Sequence, residues 1–211
     1  MNYHEQGSGE WLNQRVGMLT ASRMAEAMAT LKPDKNGIAK PAEARRKLLI
    51  EKLAERLTGD AAVHYVSPAM QHGILYESAG KAAFEDRDGE LLQACGFIPH
   101  PTIEGFGASP DALLDADAVF ELKCPTSPTH VSWLMDGVMP AQHKPQVLAQ
   151  LACTKRTRAV FASFDPRMPP KLQLFVVRWT PEPAEIYAVE VAAVQFIAEL
   201  EAAFLSITER E

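Results

Sequence analysis

The chain has 211 residues, of which 47% are hydrophobic and 23% are charged, so it suits one globular domain and excludes a disordered or fibrous protein. Its three cysteines lack CxxC spacing, which excludes a disulfide scaffold or a zinc knuckle and favours a reducing compartment. No uninterrupted apolar run reaches the roughly 18 residues of a membrane span, and the N-terminus has no basic or apolar signal region, so we expect a cytoplasmic protein without a membrane partner.

The net charge of −6 belongs to the C-terminal part of the chain. Residues 181–211 hold seven Glu and one Arg, with no Asp or Lys. The first 180 residues hold 20 Lys and Arg against 20 Asp and Glu, and they are neutral overall. The acidic composition therefore does not exclude a local basic groove for nucleic acid in that neutral part.

Helices are predicted for the first part of the chain. A helical stretch opens at residues 20–22, where Thr or Ser can cap it, and Pro and Asn-Gly mark residues 30–42 as a basic loop. A helix then begins near Pro41 and ends at Gly59, and another runs from about residue 70 to 87. The apolar face of the first of these two helices comprises Leu48, Leu49, Leu53 and Leu57.

Strands and helices are predicted to alternate in the remainder. In chain order, we expect strands at 94–98, 104–109 and 118–123, helices at 129–136 and 141–154, strands at 158–164 and 172–179, an edge strand at 186–191 and an acidic helix at 192–208. The last helix is expected to bury Val194, Ile197, Phe204 and Leu205. This order predicts an α/β (α+β) fold in which helices flank a mixed central β-sheet, with residues 1–211 forming a single domain.

The clearest candidate site lies on two neighbouring strands. Asp111 lies at the end of one, and Glu121 and Lys123 lie two residues apart on the next, so their side chains share a face. If the strands form a hairpin, the two carboxylates and the Leu122 carbonyl offer the oxygen ligands that Mg²⁺ or Mn²⁺ prefers. Lys123 would then hold or deprotonate the attacking water. The competing interpretation is a solvated turn and a weak cross-strand pair.

Three further side chains are weaker candidates for the same chemistry. Glu77 lies among apolar neighbours on the helix at 70–87, where it can orient water or bind a second ion. Gln146 and Gln150 lie one turn apart on the helix at 141–154, and a glutamine can orient water or contact a phosphate. A surface Glu and the polar face of an amphipathic helix are the competing interpretations.

A terminal phosphate would suit the early segment QRVGMLTAS. Arg15 and Ser22 place a guanidinium and a hydroxyl near a helix N-terminus, which together form an anion pocket. From these residues alone, a capping Ser and a surface Arg are the simpler interpretation. The six histidines show no metal-ligand spacing, and only His143, close to Gln146, is of interest.

Taken together, these motifs resemble those of the phage lambda exonuclease family, a branch of the PD-(D/E)xK nuclease superfamily with a restriction-endonuclease-like core. The resemblance covers most of the chain and is weakest over the last 30 residues. The matching segments are Glu5-Gln6-Gly7, Trp11, Arg15, Gly17, Thr20-Ala21-Ser22, Gly73, Tyr76-Glu77, Ser109-Pro110-Asp111, Glu121-Leu122-Lys123-Cys124-Pro125, Gln146-Val147 and Asp165-Pro166-Arg167-Met168. The chain departs from the family pattern at His72 and at Leu148-Ala149.

The resemblance implies roles for the matching residues. Asp111, Glu121 and the Leu122 carbonyl would bind the catalytic Mg²⁺, Lys123 would activate the water, and Glu77 and Gln146 would complete the site. Arg15 and Ser22 would bind the 5′-phosphate of the strand being cut. Met70 matches an apolar wedge that splits the terminal base pairs, and Lys32 and Lys35 would grip the downstream duplex.

The resemblance also implies an activity and an assembly. The protein would be a 5′→3′ exonuclease on the ends of double-stranded DNA, acting as a ring-shaped homotrimer, with a single-strand annealing protein as its partner. Two alternatives stay open, namely a restriction-like or repair endonuclease on the same core and a non-catalytic module that binds DNA ends. An endonuclease needs no pocket for a terminal phosphate, so Arg15 and Ser22 distinguish it from the exonuclease.

Overall fold

The structure of the protein is a computed structural model, which describes residues 4–32, 35, 39–62 and 67–209. Its first part contains α1 (Gly9–Asn13), β1 (Leu19–Thr20), a 3-10 turn at Ala21–Arg23, α2 (Met24–Ala27), α3 (Glu43–Thr58) and α4 (Pro68–Asp88). Its strands continue with β2 (Leu92–Gln93), β3 (Ile98–Pro99), β4 (Phe106–Ala108), β5 (Ala112–Leu114), β6 (Ala118–Lys123), β7 (Arg158–Phe164) and β8 (Leu174–Trp179). Its remaining α-helices are α5 (Ser127–Asp136), α6 (Lys144–Thr154) and α7 (Pro183–Thr208).

A five-stranded mixed sheet forms the centre of the molecule, with the strand order β2-β5-β6-β7-β8. Within this sheet β6 and β7 are the one parallel pair, and the chain between them forms α5 and α6, because parallel neighbours need a crossover connection. On one face of β6, Phe120 and Leu122 pack against Phe84 of α4. On the other face, Val119 packs with Trp133 of α5 and Val147 of α6. The predicted mixed sheet with flanking helices is confirmed.

A smaller sheet carries the second apolar core, with the strand order β1-β4-β3. It packs with α2, α3, α6 and α7 around Leu19, Phe106 and Phe196. Helix α6 lies between the two cores, and its residues from Val147 to Cys153 are all buried. Strand β4 leads directly into Ser109-Pro110-Asp111, so Asp111 lies where the chain passes from the small sheet into β5 of the central sheet.

The predicted elements agree best with the structure in strands that are buried on both faces. The strands at 118–123 and 158–164 have the predicted bounds. The strand predicted at 94–98 is wrong except at Ile98, because residues 94–97 lie unpaired between β2 and β3. The strand predicted at 104–109 is reduced to the three residues of β4. Strand β5 was not predicted because Asp and Ala dominate the stretch that follows it. Helix α3 begins at Glu43 rather than near Pro41, because Pro41 pairs with Thr30 in a β-bridge. Residues 33, 34 and 36–38 of the predicted loop lie outside the described residues.

The edge strand predicted at 186–191 is wrong, because α7 already begins at Pro183. The side chain of Glu182 accepts a hydrogen bond from the backbone of Glu185, and the Glu185 side chain accepts one from the backbone of Glu182. This capping box and the proline at the first helical position start the helix about nine residues earlier than predicted. Alternating apolar residues in IYAVEV suggested a strand, but they occur in a helix that is apolar nearly all round.

The predicted buried face of the last helix is also wrong. The buried residues of α7 are Val189, Ala193, Phe196 and Leu200. Val194 is 50% exposed and Leu205 is 43% exposed, whereas Ile197 and Phe204 are partly buried beside the core. An abundance of Ala, Val and Leu around the whole helix leaves its orientation undetermined by pattern, so packing against α3 and α6 decides it.

Helix α7 is long and apolar enough to cross a membrane, by length and composition alone. In the structure it packs along the second core, and three of its carboxylates form ion pairs with other elements. Glu190 pairs with Lys155 at 2.8 Å, Glu199 with Arg45 at 2.7 Å and Glu201 with Arg56 at 2.7 Å. The acidic helix is therefore attached to the domain by its charges as well as by its apolar face.

Candidate active site

The hairpin of β5 and β6 brings Asp111 to Glu121. Ala112 pairs with Phe120 in the antiparallel register, which leaves Asp111 beside the C-terminal end of β6. One carboxylate oxygen of Asp111 accepts a hydrogen bond from the backbone N–H of Leu122 at 2.7 Å. The predicted site required a hairpin between the strands at 104–109 and 118–123, and that pairing is wrong, because β4 pairs with β1 and β3 of the small sheet. The hairpin of β5 and β6 brings the same residues together instead, and it holds Asp111 in place through the backbone of its partner strand.

Glu121 is only 1% exposed, and each of its carboxylate oxygens has a donor. Lys123 Nζ lies 2.5 Å from Glu121 Oε1, and Gln146 Nε2 donates to the same oxygen at 2.6 Å. Gln150 Nε2 donates to Glu121 Oε2 at 2.5 Å. A buried carboxylate is stable as an anion only when it is paired and hydrogen-bonded, and α6 supplies that environment with two glutamines one turn apart.

The charges of this group perturb one another. Burial, followed by repulsion from Glu121, raises the pKa of Asp111 to about 8. Burial lowers the pKa of Lys123, but attraction by Glu121 and Asp111 outweighs it and raises that pKa above its ordinary value. Two carboxylates with one ammonium therefore carry an excess of negative charge in a poorly solvated place.

A divalent cation fits this donor set. It would relieve the repulsion between Asp111 and Glu121 that the raised pKa of Asp111 reflects. Among the described residues, no three or more His, Cys, Asp or Glu side chains form a ready metal cage. The cation would thus rely on two carboxylates, the Leu122 carbonyl and water, which suits Mg²⁺ because Mg²⁺ usually keeps several waters.

A cleft of about 460 Å³ opens in front of Asp111 and Lys123. Glu77 lines it from α4, where its carboxylate pairs with Lys81 Nζ at 2.6 Å. Met70, which is 50% exposed, also lines the cleft from α4, three residues before Gly73 and seven before Glu77. The structure therefore brings Glu77 and Met70 to the same opening as the carboxylates.

His143 lies across this cleft. Its ring stacks on Phe161, with ring centroids 5.3 Å apart, and meets Trp133 edge-on. Burial, followed by repulsion from Lys123, lowers the pKa of His143 to about 4. The imidazole is therefore neutral at pH 7 and forms part of an aromatic wall rather than a cationic one.

A second candidate site, for an anion, surrounds the side chain of Arg15. Its guanidinium lies 3.8 Å from the centre of the Trp11 ring, and no described residue accepts a hydrogen bond from its buried Nε. Burial lowers the pKa of Arg15 to about 10, and the nearby Glu55 carboxylate offsets that only in part. A desolvated guanidinium with a donor left over is suited to an anionic ligand.

Ser22 is exposed, and its hydroxyl lies 3.3 Å from the hydroxyl of Thr20. Thr20 is buried and lines a small cavity with Arg15, so Ser22 adjoins this cavity through Thr20. Lys32 and Lys35 are exposed.

Several residues of these two sites were not placed there by sequence reasoning. Trp11 links the sites, because its indole N–H donates to Ser109 Oγ at 3.0 Å, two residues before Asp111. The Gln6 amide donates to the Pro110 carbonyl at 2.7 Å and so holds the same turn. Lys52 and Glu55 form a buried ion pair beside Arg15, and nothing in the charged sequence of α3 distinguishes them from surface residues.

Comparisons with known proteins show which family the chain resembles. Residues 10–157 match the YqaJ-like viral recombinase domain. An alkaline exonuclease from Laribacter hongkongensis, LHK-Exo, is 34% identical over 95% of this chain and 96% of that chain, with a TM-score of 0.86. The structure of LHK-Exo in complex with dAMP has the same identity and coverage and a TM-score of 0.85.

More distant similarity extends to the fold alone. A phage-related exonuclease from Haemophilus somnus 129PT is 11% identical over 91% of this chain and 98% of that chain, with a TM-score of 0.62. No curated protein matches the sequence. The family match and the two structures at 34% identity confirm the predicted family and enzyme class. All three structures confirm the predicted fold. The chain belongs to the family of YqaJ-like viral recombinase domains and is homologous over nearly its whole length to an alkaline exonuclease.

Proposed function

We propose that this protein is a metal-dependent 5′→3′ exonuclease that degrades one strand of linear duplex DNA. It would begin at 5′-phosphorylated ends and release mononucleotides, leaving a 3′ single strand for recombination by strand annealing. The observation that carries the proposal is the bridge from Arg15 through Trp11 to Ser109, because it connects an unsatisfied guanidinium to the turn that holds Asp111. An enzyme that cuts within a duplex needs no such anion site beside its carboxylates.

Asp111, Glu121 and the Leu122 carbonyl are the residues that would hold Mg²⁺, or Mn²⁺ in its place. When bound, the cation supplies Lewis acidity toward a phosphate oxygen and neutralises charge that develops on it. Gln146 and Gln150 keep Glu121 oriented toward this position through hydrogen bonds to both of its oxygens.

Lys123 acts on the water and on the reacting phosphate. Its raised pKa keeps the side chain protonated at neutral pH, so it donates hydrogen bonds rather than removing a proton in this structure. As an ammonium at the cleft it orients the attacking water and stabilises negative charge on the pentavalent phosphorus. Glu77, on the other wall of the cleft, accepts a hydrogen bond from water or holds a second cation.

The DNA end would be held by residues outside the carboxylate group. Arg15 binds the 5′-phosphate, with Ser22 and Thr20 at the edge of its cavity. Met70 enters between the terminal base pairs as an apolar wedge, since its side chain is half exposed at the mouth of the cleft. Lys32 and Lys35 contact the backbone of the downstream duplex, where exposed ammonium groups displace counterions.

The proposed setting is the cytoplasm of a bacterium, with the protein encoded by a phage or by phage-derived DNA. A homotrimeric ring around the duplex would keep the enzyme on one DNA molecule over many cycles. A single-strand annealing protein would be the partner that covers the exposed 3′ strand. The homotrimer and the annealing partner both rest on the resemblance to the phage lambda exonuclease family.

A digestion experiment tests the proposal. End-labelled linear duplex with 5′-phosphate or 5′-hydroxyl termini is incubated with the enzyme beside a closed circle, in Mg²⁺ or in EDTA. We expect Mg²⁺-dependent release of mononucleotides, faster from phosphorylated ends, with the circle intact. Cutting of the circle would instead identify an endonuclease, and binding without cutting would identify a DNA-end-binding module.

A further inference from the structure

One face of α4 packs closely along β6. Phe84 of α4 packs on Phe120 of β6, with the ring centroids 4.7 Å apart. One helical turn earlier in the chain, Gly80 approaches Leu122 so closely that a Cβ on the glycine would lie 2.8 Å from Leu122 Cδ2. Steps of four residues along the helix and two along the strand keep to these two facing surfaces, so the same face of α4 leads toward the C-terminal end of β6.

His72 lies where this helix face reaches the end of β6. It precedes Gly80 by two steps of four residues, and its ring meets Tyr76 edge-on with centroids 4.7 Å apart. His72 Nδ1 lies 3.1 Å from the carbonyl oxygen of Cys124. Because a carbonyl oxygen only accepts, Nδ1 carries the proton and donates this hydrogen bond. The apolar contact between α4 and β6 therefore ends in a polar one.

The other nitrogen of the His72 ring has no such partner. Nε2 is buried, and no described residue forms a hydrogen bond with it. A buried polar atom without a partner costs free energy that a phenyl ring of similar shape would avoid. The interaction that favours histidine over phenylalanine at this position is therefore the hydrogen bond to Cys124.

Cys124 is the residue at which the central sheet stops holding the chain. Lys123 is the last residue of β6, and it pairs with Ser163 of β7. Cys124 lies outside the strand, and Pro125 has no N–H with which to continue the ladder. The hydrogen bond from His72 thus takes over where the ladder ends, and it ties the residue after Lys123 to α4.

This tie joins two walls of the cleft. Met70 and Glu77 line the cleft from α4, and Lys123 lines it from β6, whereas His72 lies behind them and does not line it. We propose that His72 is a positioning residue that fixes Lys123 relative to the α4 wall of the cleft. The inference rests on the proposed function of Lys123 at the reacting phosphate. Displacement of such a group by about 1 Å is enough to slow a reaction without weakening substrate binding.

Two substitutions separate the hydrogen bond from the ring. His72→Asn places an amide nitrogen where Nδ1 lies along the side chain, so it keeps a donor and removes the ring. His72→Phe keeps the ring against Tyr76 and removes the donor. The values of kcat and KM are measured from initial rates of mononucleotide release on 5′-phosphorylated linear duplex in Mg²⁺.

We expect His72→Phe to lower kcat about tenfold with KM unchanged, which is the factor for loss of one ordinary hydrogen bond. His72→Asn should stay within about twofold of the wild type in both quantities. Ser78→Ala, at an exposed position of the same helix, is the control and should change neither. An unchanged kcat in His72→Phe, or a larger loss in His72→Asn than in His72→Phe, would assign the residue to packing and overturn the inference.

A double variant tests whether His72 acts through Lys123. In enzyme that already carries Lys123→Ala, we expect His72→Phe to lower kcat little further, because the group that it positions is absent. A further loss of about tenfold would show that His72 acts on another group and would also overturn the inference.

Hydrogen exchange measured by mass spectrometry reports on the end of β6 without DNA or metal. We expect the backbone amides of Lys123 and Cys124 to exchange faster in His72→Phe than in the wild type, and at the wild-type rate in His72→Asn. Equal exchange in all three proteins would overturn the tie between His72 and Cys124. An absence of mononucleotide release by the wild-type enzyme would overturn the proposed function and the kinetic role of His72, while faster exchange in His72→Phe alone would still support the tie, so the two failures are distinguishable.

Discussion

Lys123 is the residue whose chemistry depends most on its neighbours. A lysine on a strand is ordinarily solvated, but here its ammonium lies against Glu121 and close to Asp111 at the floor of the cleft. Those carboxylates outweigh burial and keep the side chain charged. In the proposed function we therefore expect Lys123 to act on the transition state, where charge on the phosphate increases, rather than on binding of DNA in the ground state.

We expect Lys123→Ala to lower the rate of DNA hydrolysis by about 100-fold or more, which is the usual loss for one electrostatic donor at a reacting centre. Binding of linear duplex, measured by fluorescence anisotropy without Mg²⁺, should persist. Lys171→Ala, at an exposed lysine outside the cleft, is the control for loss of one positive charge. Near-normal hydrolysis by the Lys123 variant would remove it from the mechanism.

Arg15 differs from Arg45 and Arg56, two arginines of α3, because it forms no ion pair with a carboxylate among the described residues. Arg45 and Arg56 pair with glutamates of α7, whereas Arg15 stacks on Trp11 and keeps a buried Nε free. We expect Arg15→Ala to cost about 2 kcal/mol, roughly 30-fold, in kcat/KM on 5′-phosphorylated duplex. The rate on 5′-hydroxyl duplex serves as the internal control and should change little. An equal loss on both ends would contradict a phosphate site.

Among the elements, α6 does most to build the site. It faces the central sheet with Val147 and Leu151, and it directs Gln146 and Gln150 at the two oxygens of Glu121. The spacing of four residues makes this possible, since it returns a helical side chain to the same face. Sequence reasoning recognised that shared face but not its target, because the target comes from another element.

We expect Gln150→Ala to raise the Mg²⁺ concentration needed for half-maximal activity, because one oxygen of Glu121 loses its donor and its orientation. The free energy of unfolding should fall by about 1–3 kcal/mol, the usual effect of leaving a buried polar group unpaired. Gln195→Ala, at an exposed position of α7, should alter neither quantity. An unchanged Mg²⁺ requirement in the Gln150 variant would assign that residue to packing alone.

Helix α7 was predicted as a helix, but the face predicted to be buried is wrong. Its buried face runs through Phe196 and Leu200, one position away from the face that the apolar pattern suggested. Two leucines of the helix allow a matched test, since Leu200 is fully buried and Leu205 is 43% exposed.

We expect Leu200→Ala to lower the free energy of unfolding by about 2–5 kcal/mol, as for other buried leucines. Leu205→Ala should change it by no more than about 1 kcal/mol, as for most exposed positions. Both values follow from urea unfolding monitored by tryptophan fluorescence. Equal destabilisation by the two variants would contradict the orientation of α7.

For the molecule as a whole, the buried carboxylates of the active site make stability depend on pH. The pKa of Asp111 is raised from an ordinary value near 3.8 to about 8 in the folded protein. At pH values between these two pKa values, the folded state therefore binds more protons than the unfolded state. The free energy of unfolding that protonated Asp111 contributes is consequently lost as the pH rises through about 8. A cation at the site would offset that loss.

We expect Asp111→Asn to raise the Tm of the metal-free protein, and to raise it more at pH 9 than at pH 4. The amide keeps the shape of the carboxylate without its charge, so the variant lacks the repulsion from Glu121 that the ionised Asp111 experiences at high pH. Asp136→Asn, at an exposed position, is the control and should show no such pH dependence. A Tm difference that does not vary with pH would show that Asp111 is not the titrating group.

The sequence by itself predicted the fold class and the bounds of β6 and β7, and it pointed to the acidic and basic residues of the candidate site. Burial on both faces limits β6 and β7 to apolar, β-branched and aromatic residues, so Glu121 and Lys123 are conspicuous within β6. A hairpin that joins Asp111 to Glu121 was predicted from the turn between them, although its first strand is β5 rather than the predicted strand at 104–109. These are properties of residues close together in the chain.

Only the tertiary structure decided which distant groups meet. The orientation of α7, the buried Lys52–Glu55 pair, the bridge from Trp11 to Ser109 and the target of Gln150 each join segments from different elements. A glutamate or a glutamine on a helix has the same local pattern whether it faces solvent or a partner, because helical propensity does not depend on what lies opposite. Packing chooses between these environments, and with them between a surface charge and a part of the site.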